Sequence, residues 1–482
     1  MIGLPSRPGV TKSWQPPRHT LVWAPFLLAL TLGLWGIRRE GTVWQDEAIT
    51  YEVARRSFSE IWQTLANIDA VHGFYYLIMH IVYMFGDGLL TLRLPSVMAT
   101  ALAACGVALL GSKLGGPRVG IISGLVFPVL PMVQRYSQEG RSYAMVCASV
   151  VWATYLLVVA VERRARKIWC GYAVASLVAC LLHEFAILAV AAHGVTLFLA
   201  HASRWVLAAW VKAAMFVSAG IIPLLALSVL QSDQVSWISP TLWGDLTAPL
   251  VLTVVAFCCA RIPVERCAPI APWQLALPIM ILPAATLRAI SFFKPLYVDR
   301  YVLFSQLGVA LLLGVVLNWV WSVREWRWGA GVITATACAV TIMSTGVDLR
   351  NPGSRSDNAT EVVEVAAELG RNGDGIVFIP ASRRAWTLGP GSPEMNFSDV
   401  TLNGNLQTSD TLYGKEVAPG EIHSRMLSEE RIIVLREPHR EEVEETRQEK
   451  AKRATLNRYF VECDSRTVGR AKVVLYARSG NC

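Results

Sequence analysis

The chain has 482 residues, 53% of them hydrophobic and only 17% charged. Together with a positive mean hydropathy, this argues against an ordinary soluble globular protein and for a fold in which the membrane takes part. The net charge of +8 does not point to nucleic acid, because Lys and Arg sit in short clusters between apolar runs rather than along one amphipathic face.

Residues 1–20 carry Arg7, Lys12 and Arg18 ahead of an apolar run with no small-residue cleavage site behind it, the pattern of an uncleaved signal anchor with a cytoplasmic N-terminus. A crossing helix takes ~20 residues. Candidate runs lie near 21–37, 90–111, 119–134, 143–161, 168–183, 185–201, 206–230, 247–260, 273–290, 302–321 and 329–346. With the N-terminus inside, Lys113, Arg118, Arg163, Arg164, Arg166, Lys167, Arg204, Arg261, Arg266, Arg324 and Arg327 all face the cytoplasm, as the positive-inside rule requires. Counting the apolar segment 72–85 as a span would invert everything after it. At about 14 residues it is also short for crossing, and its tyrosines suit the headgroup level, so it is expected to be an interfacial helix.

The expected fold is therefore mainly α: a polytopic transmembrane bundle of about eleven spans over 21–346, with juxtamembrane helices in a first outer loop at 38–89. Composition changes after Gly346, and 347–482 alternates helix at 358–369, strand at 375–379, strand at 431–435, charged helix near 441–457 and strand at 472–476. A small extracytoplasmic α/β domain follows. Most cysteines lie inside apolar runs, with no zinc-type spacing. Cys463 and Cys482 stand apart in the outer domain, where a disulfide and two unrelated thiols are equally compatible with the sequence.

This topology gathers on one side Asp46 and Glu47; His72; Arg93; Arg135, Gln138, Glu139 and Arg141; His183 and Glu184; and Lys294, Asp299 and Arg300. Ionisable groups at the edge of a membrane bundle are costly unless paired or hydrated, so such a set points to a site. Ordinary loop solvation accounts for Arg38, Arg39, Arg55 and Arg56. It accounts less well for Asp46–Glu47 behind Trp44, or for Glu139 between Tyr136 and Tyr143.

Four motifs in order, Trp44-Gln45-Asp46-Glu47, His72-Gly73-Phe74-Tyr75-Tyr76, Leu92-Arg93-Leu94-Pro95-Ser96 and Tyr136-Ser137-Gln138-Glu139-Gly140-Arg141-Ser142-Tyr143-Ala144, resemble the GT-C glycosyltransferase superfamily. The nearest branch is that of the protein-mannosyltransferase-like and lipid A aminoarabinose-transferase-like enzymes. The similarity runs from about residue 21 to 301. Two departures stand out: Gly73-Phe74 where the family usually has Pro-Pro or Pro-Leu, and Gly140 where it usually has Ala. The resemblance implies an acidic motif in the first outer loop, a polar motif in the second, a polyprenyl-phosphate-linked sugar donor, and an acceptor that is a glycan, a lipid or a protein.

Transfer from a sugar phosphate needs a base for the acceptor proton but no general acid, since phosphate leaves as a stable anion. A hydrolase would want two opposed carboxyls instead. Asp46 is assigned the base, with Glu47 and Glu139 as the other catalytic carboxylates. Arg93, Arg141, Arg300 and Lys294 are candidates for the donor phosphate, and His72, Tyr76, Gln138 and Tyr143 for substrate contact. Two carboxylates can recruit Mg²⁺ or Mn²⁺, yet no hard oxygen cage is spelled out, so no cofactor is required by the sequence. The rival class is a transporter or flippase of a lipid-linked substrate, against which stands the lack of a duplicated half.

Overall fold

A computed structural model describes residues 17–231, 238, 247–264, 267–323, 327–355, 358–390, 396–406, 409–437 and 446–482. The expectations for Arg7, Lys12, Arg266, Arg324 and 441–445 fall outside them.

The chain enters through α1 (Arg18–Leu34), followed by three short helices, α2 (Gln45–Ala54), α3 (Phe58–Asn67) and α4 (Gly73–Tyr83). Ser57 and Glu60 form a reciprocal capping box that starts α3. The bundle continues with α5 (Gly88–Gly115), α6 (Pro117–Val126), α7 (Pro131–Ser137), α8 (Tyr143–Arg163), α9 (Arg166–Leu182), α10 (Ile187–Leu199) and α11 (Arg204–Leu230). It closes with α12 (Thr247–Cys259), α13 (Pro272–Ser291), α14 (Gln306–Ser322) and α15 (Arg327–Arg350).

Every expected span has its helix, but they are not equally long. Among the described residues seven helices are long and apolar enough to cross a membrane, and an eighth span forms if α6 and α7, bent by 61° at the Leu130–Pro131 step, are counted together. The sequence-based figure of about eleven includes α9, α10 and α12, of 17, 13 and 13 residues. At about 1.5 Å per residue these fall short of a ~30 Å hydrocarbon core. Helices suit this setting because each satisfies its own backbone polar groups. Close approach comes from small residues: a Cβ on Gly120 would lie 2.5 Å from the Ala108 carbonyl oxygen, so α6 can lie flat on α5 only with glycine there.

The segment 72–85 forms α4, which returns the chain to the end of the bundle it left. Arg93, beyond α4, pairs with Glu47, before it, at 2.7 Å. At the opposite end Lys113 bonds Glu162, and the Cys267 amide reaches the Leu114 carbonyl. The turns α5–α6, α8–α9 and α12–α13 therefore share that end, and the motif loops share the other.

The last span runs to Arg350, whose guanidinium donates to the Leu32, Trp35 and Gly346 carbonyls and lies over the Trp35 ring. It fastens the stalk of the C-terminal domain to the end of α1. Beyond it, α16 (Ala359–Leu369), β1 (Gly375–Ile379), β2 (Ser398–Asp399), α17 (Pro419–Ser428), β3 (Arg431–Arg436), α18 (Arg447–Tyr459), β4 (Val461–Val468) and β5 (Ala471–Ala477) make an α/β unit. Its sheet has the order β2-β1-β3-β5-β4. Alternate residues of β1 enter two cores, Ile376 and Phe378 with α16, Val377 and Ile379 with α17 and α18, which is why this strand is apolar throughout. The sequence reading missed β2, α17 and β4. The last is a polar, mostly exposed edge strand without the apolar run that marks β1, β3 and β5. Cys463 and Cys482 are joined in a disulfide.

Candidate active site

Gln45, Asp46 and Glu47 form the first turn of α2, where free N–H groups favour negative charge. Successive helical positions diverge by about 100°, and the two carboxylates accordingly face different surroundings.

Glu47 points inward and is fully buried, taking a two-point bond from Arg93, Nε to Oε1 at 2.8 Å and Nη2 to Oε2 at 2.7 Å. Arg93 also donates to the Ile37 and Thr42 carbonyls, each at 2.6 Å. The Gly140 amide donates to Glu47 at 2.9 Å, and Arg39 lies 3.9 Å away. Burial opposes ionisation of Glu47, but Arg93, Arg39 and the Gly140 amide outweigh it and draw the carboxyl down to about 2. This knot joins the end of α1, α5 and the second motif loop. It corrects two expectations: Arg93 is enclosed with its donors engaged and is not open to a donor phosphate, and Glu47 is sealed from substrate. Arg39 and Arg56, read from sequence as plain interfacial charges, are both buried.

Asp46 points the other way. Its carboxylate lies 3.5 Å from Arg141 Nη2 and 3.7 Å from Arg300 Nη2, with the side chain still 24% exposed. Arg141 is buried and donates through Nη1 to the Thr50 hydroxyl at 3.4 Å and the Tyr76 hydroxyl at 3.2 Å. Tyr76 in turn donates to buried Asp69. Arg300 lies over the rings of Trp44, Tyr143 and Tyr301, 5.6 to 5.8 Å from their centroids. Around this pair stands an aromatic wall of His72, Tyr143, His183 and Tyr301, with His183 and Tyr301 at 4.5 Å and His72 and His183 at 5.9 Å. Burial first, then the nearby arginines, pushes both histidines well below their ordinary 6.5, so they stand neutral.

The remaining predicted residues divide. Gln138 donates to the Gly33 and Trp35 carbonyls, which ties its loop to α1 and occupies its amide. Glu139 is buried against Arg355 at 2.6 Å, a partner from beyond the last span. Lys294 is exposed past the end of α13 and makes no ion pair among the described residues. A metal between Asp46 and Glu139 does not fit: each carboxylate already faces guanidinium, and no group of three His, Cys, Asp or Glu among the described residues is placed to hold an ion. Sequence reasoning missed Asp69, Tyr301, Arg355 and Arg383, whose Nη1 donates to Gln45 at 2.8 Å from the C-terminal domain. His183, gathered from sequence into the same set but given no role, accepts weakly from the Phe185 amide and forms part of the wall.

Part of the sequence matches a family model, and the helical bundle with its appended sheet domain has the fold of solved structures. Residues 72–227 match the family model described as dolichyl-phosphate-mannose-protein mannosyltransferase. The structure is similar to ArnT from Cupriavidus metallidurans bound to undecaprenyl phosphate, with TM-score 0.58 and 12% identity over 95% of this chain and 98% of that one. The apo form of ArnT gives 0.60 at the same identity and coverage. Archaeal oligosaccharyltransferase AglB from Archaeoglobus fulgidus, in complex with an inhibitory peptide and a dolichol-phosphate, gives 0.51 at 10% identity over 86% of this chain and 69% of that one. No curated protein sequence matches.

Proposed function

We propose that the chain is a membrane glycosyltransferase that moves a sugar, mannose or a similar one, from a polyprenyl-phosphate donor to an extracytoplasmic acceptor in a single inverting displacement. The observation that carries this reading is the contrast among the motif carboxylates. Glu47 and Glu139 are locked to arginines in the interior, whereas Asp46 keeps 24% exposure between two guanidiniums.

In the step, the acceptor hydroxyl gives its proton to Asp46 as its oxygen bonds to the anomeric carbon. The bond from that carbon to the phosphate oxygen breaks, and its electron pair leaves with polyprenyl phosphate. Arg141 and Arg300 take the phosphate, since a forked guanidinium holds two oxygens and steadies charge that grows during departure. Tyr143 and Tyr301, with His72 and His183, offer ring faces to the sugar. Tyr76 acts through Arg141, and Glu47 acts by fixing α2 and hence Asp46.

The lipid donor is supported by ArnT and AglB, whose structures hold undecaprenyl phosphate and dolichol-phosphate. A polyprenyl tail stays in the bilayer at ~0.8 kcal/mol per buried methylene, so its headgroup arrives at the level of α4, one wall of the entrance. The positive-inside pattern supports a cell-membrane topology with the N-terminus cytoplasmic and the site and C-terminal domain outside. There the domain covers the site and selects the acceptor.

The test is to incubate the purified chain with radiolabelled polyprenyl-phosphate sugars and a membrane extract. A labelled product is expected, reduced about 100-fold or more in Asp46→Asn, the scale of a lost general base, with unchanged thermal stability. Near-normal turnover by Asp46→Asn removes Asp46 from the base role. No product from any donor removes the transferase reading.

A further inference from the structure

Besides the Arg355 and Arg383 contacts, the outer domain is tied to the site through a buried cation. Arg56, between α2 and α3, is 2% exposed. Its Nη1 donates to the Thr64 hydroxyl and to the Ser409 and Thr411 carbonyls, all at 2.9 Å, and its Nη2 to the Leu406 carbonyl at 3.3 Å. Three main-chain acceptors from a distant segment on one guanidinium form a clamp. Asn67 adds bonds to Asp410. From the domain side, Arg384, itself paired with Asp399 at 2.6 Å, donates to the Tyr413 carbonyl.

The clamp delivers Leu412 into the core of the membrane bundle and packs Tyr413 against it. The phenol stands in electrostatic reach of Asp69, Asp46, Arg383 and Arg141. Burial, the larger effect, and the two carboxylates push its ionisation up, so it remains a neutral hydroxyl able to donate to or accept from a polyhydroxylated compound.

Arg141, Arg300 and the aromatic wall come from loops of the bundle. Tyr413 comes from the domain beyond the last span, which faces away from the bilayer in the topology proposed above. In a single displacement the attacking oxygen and the departing phosphate lie on opposite sides of the anomeric carbon. A donor tethered to the bilayer thus leaves the domain side for the acceptor.

We infer that Tyr413 lines the acceptor side of the site and that the Arg56 clamp positions it, so that the outer domain selects a hydroxylated acceptor through this residue. The inference rests on the transferase reading. Tyr413 touches substrate, whereas Arg56 acts only through the segment it holds.

The experiment uses the full-length chain, radiolabelled polyprenyl-phosphate mannose and a detergent-solubilised cell-envelope extract, with transfer and donor hydrolysis measured in one reaction. Water needs no recognition, so the ratio of transferred to free sugar isolates acceptor selection from the amount of folded protein. Tyr413→Ala is expected to lower that ratio about tenfold, the scale of a lost hydrogen bond plus ring contact, through a raised KM for the extract. Tyr413→Phe should lower it less. Arg56→Gln should lower it in the same direction, with partial recovery in Arg56→Lys. A ratio unchanged within about twofold in all these variants overturns the inference, including the case where both products fall together from a folding defect. Absence of any Asp46-dependent product overturns the transferase reading itself.

Discussion

Glu47→Gln keeps the shape of the side chain and removes its charge from a knot that is otherwise closed to water. The carboxyl is held at about 2 against an ordinary 4.5, a displacement worth about 3 kcal/mol in favour of the ionised form. Breaking one side of a buried pair costs about 3–5 kcal/mol, because the surviving charge is left without its partner. Both routes put the loss near 3 kcal/mol, with Arg93 keeping the Ile37 and Thr42 carbonyls. Tryptophan-fluorescence melting in detergent should show a marked drop, and turnover should fall because Asp46 loses its footing. Since the folded value is depressed, the contribution is complete above 4.5 and disappears as pH falls from 4.5 toward 2. The mutant should lack that acid slope. Unchanged melting together with lost turnover would refute the reasoning and make Glu47 a residue that touches substrate.

Two further perturbations follow from the same geometry. In Gly140→Ala the new Cβ would lie 2.5 Å from Leu92, a fully buried side chain. The second loop must then shift off Glu47 at a cost of about 1–3 kcal/mol, seen as lower melting and lower turnover, and an unchanged enzyme would contradict the packing. His72 and His183 sit well below their ordinary 6.5 in the folded protein, so the unfolded chain takes up protons that the native one refuses. Stability is therefore whole above 6.5 and declines below it, by up to about 1.4 kcal/mol per pH unit for each histidine. Gln at both positions should flatten that slope in melting curves measured across pH, and an equally steep slope would place the titration elsewhere.

Membrane helices were legible because a span writes itself as a continuous apolar run. Segment 72–85 was read as non-crossing from charge parity, its short length and its tyrosines, and the contact between Arg93 and Glu47 shows that the chain does return to the end of the bundle it left. The cluster around Asp46 was legible as a set of loop charges. What the sequence could not show was which charges neutralise one another. Arg93 reads as a phosphate ligand until Glu47 is seen in its fork, and Gln138 as a substrate contact until its amide is found on α1. Arg355 and Arg383 lie more than 200 residues from Glu139 and Gln45, their partners in the fold, so no local spacing could announce them. Strand β4 was missed for a plainer reason: an exposed edge carries polar residues on both faces.

The pairing of Glu139 with Arg355 spans 216 positions of the chain, and its two halves are made far apart in time. While the bundle is being threaded, a nearly sealed carboxylate of the second motif waits without its main counter-charge, supplied only once the last span and the stretch after it have been made. Arg56 likewise waits for the carbonyls at 406, 409 and 411. The order of synthesis thus matters: a chain truncated before Arg355 keeps a buried carboxylate without its main counter-charge.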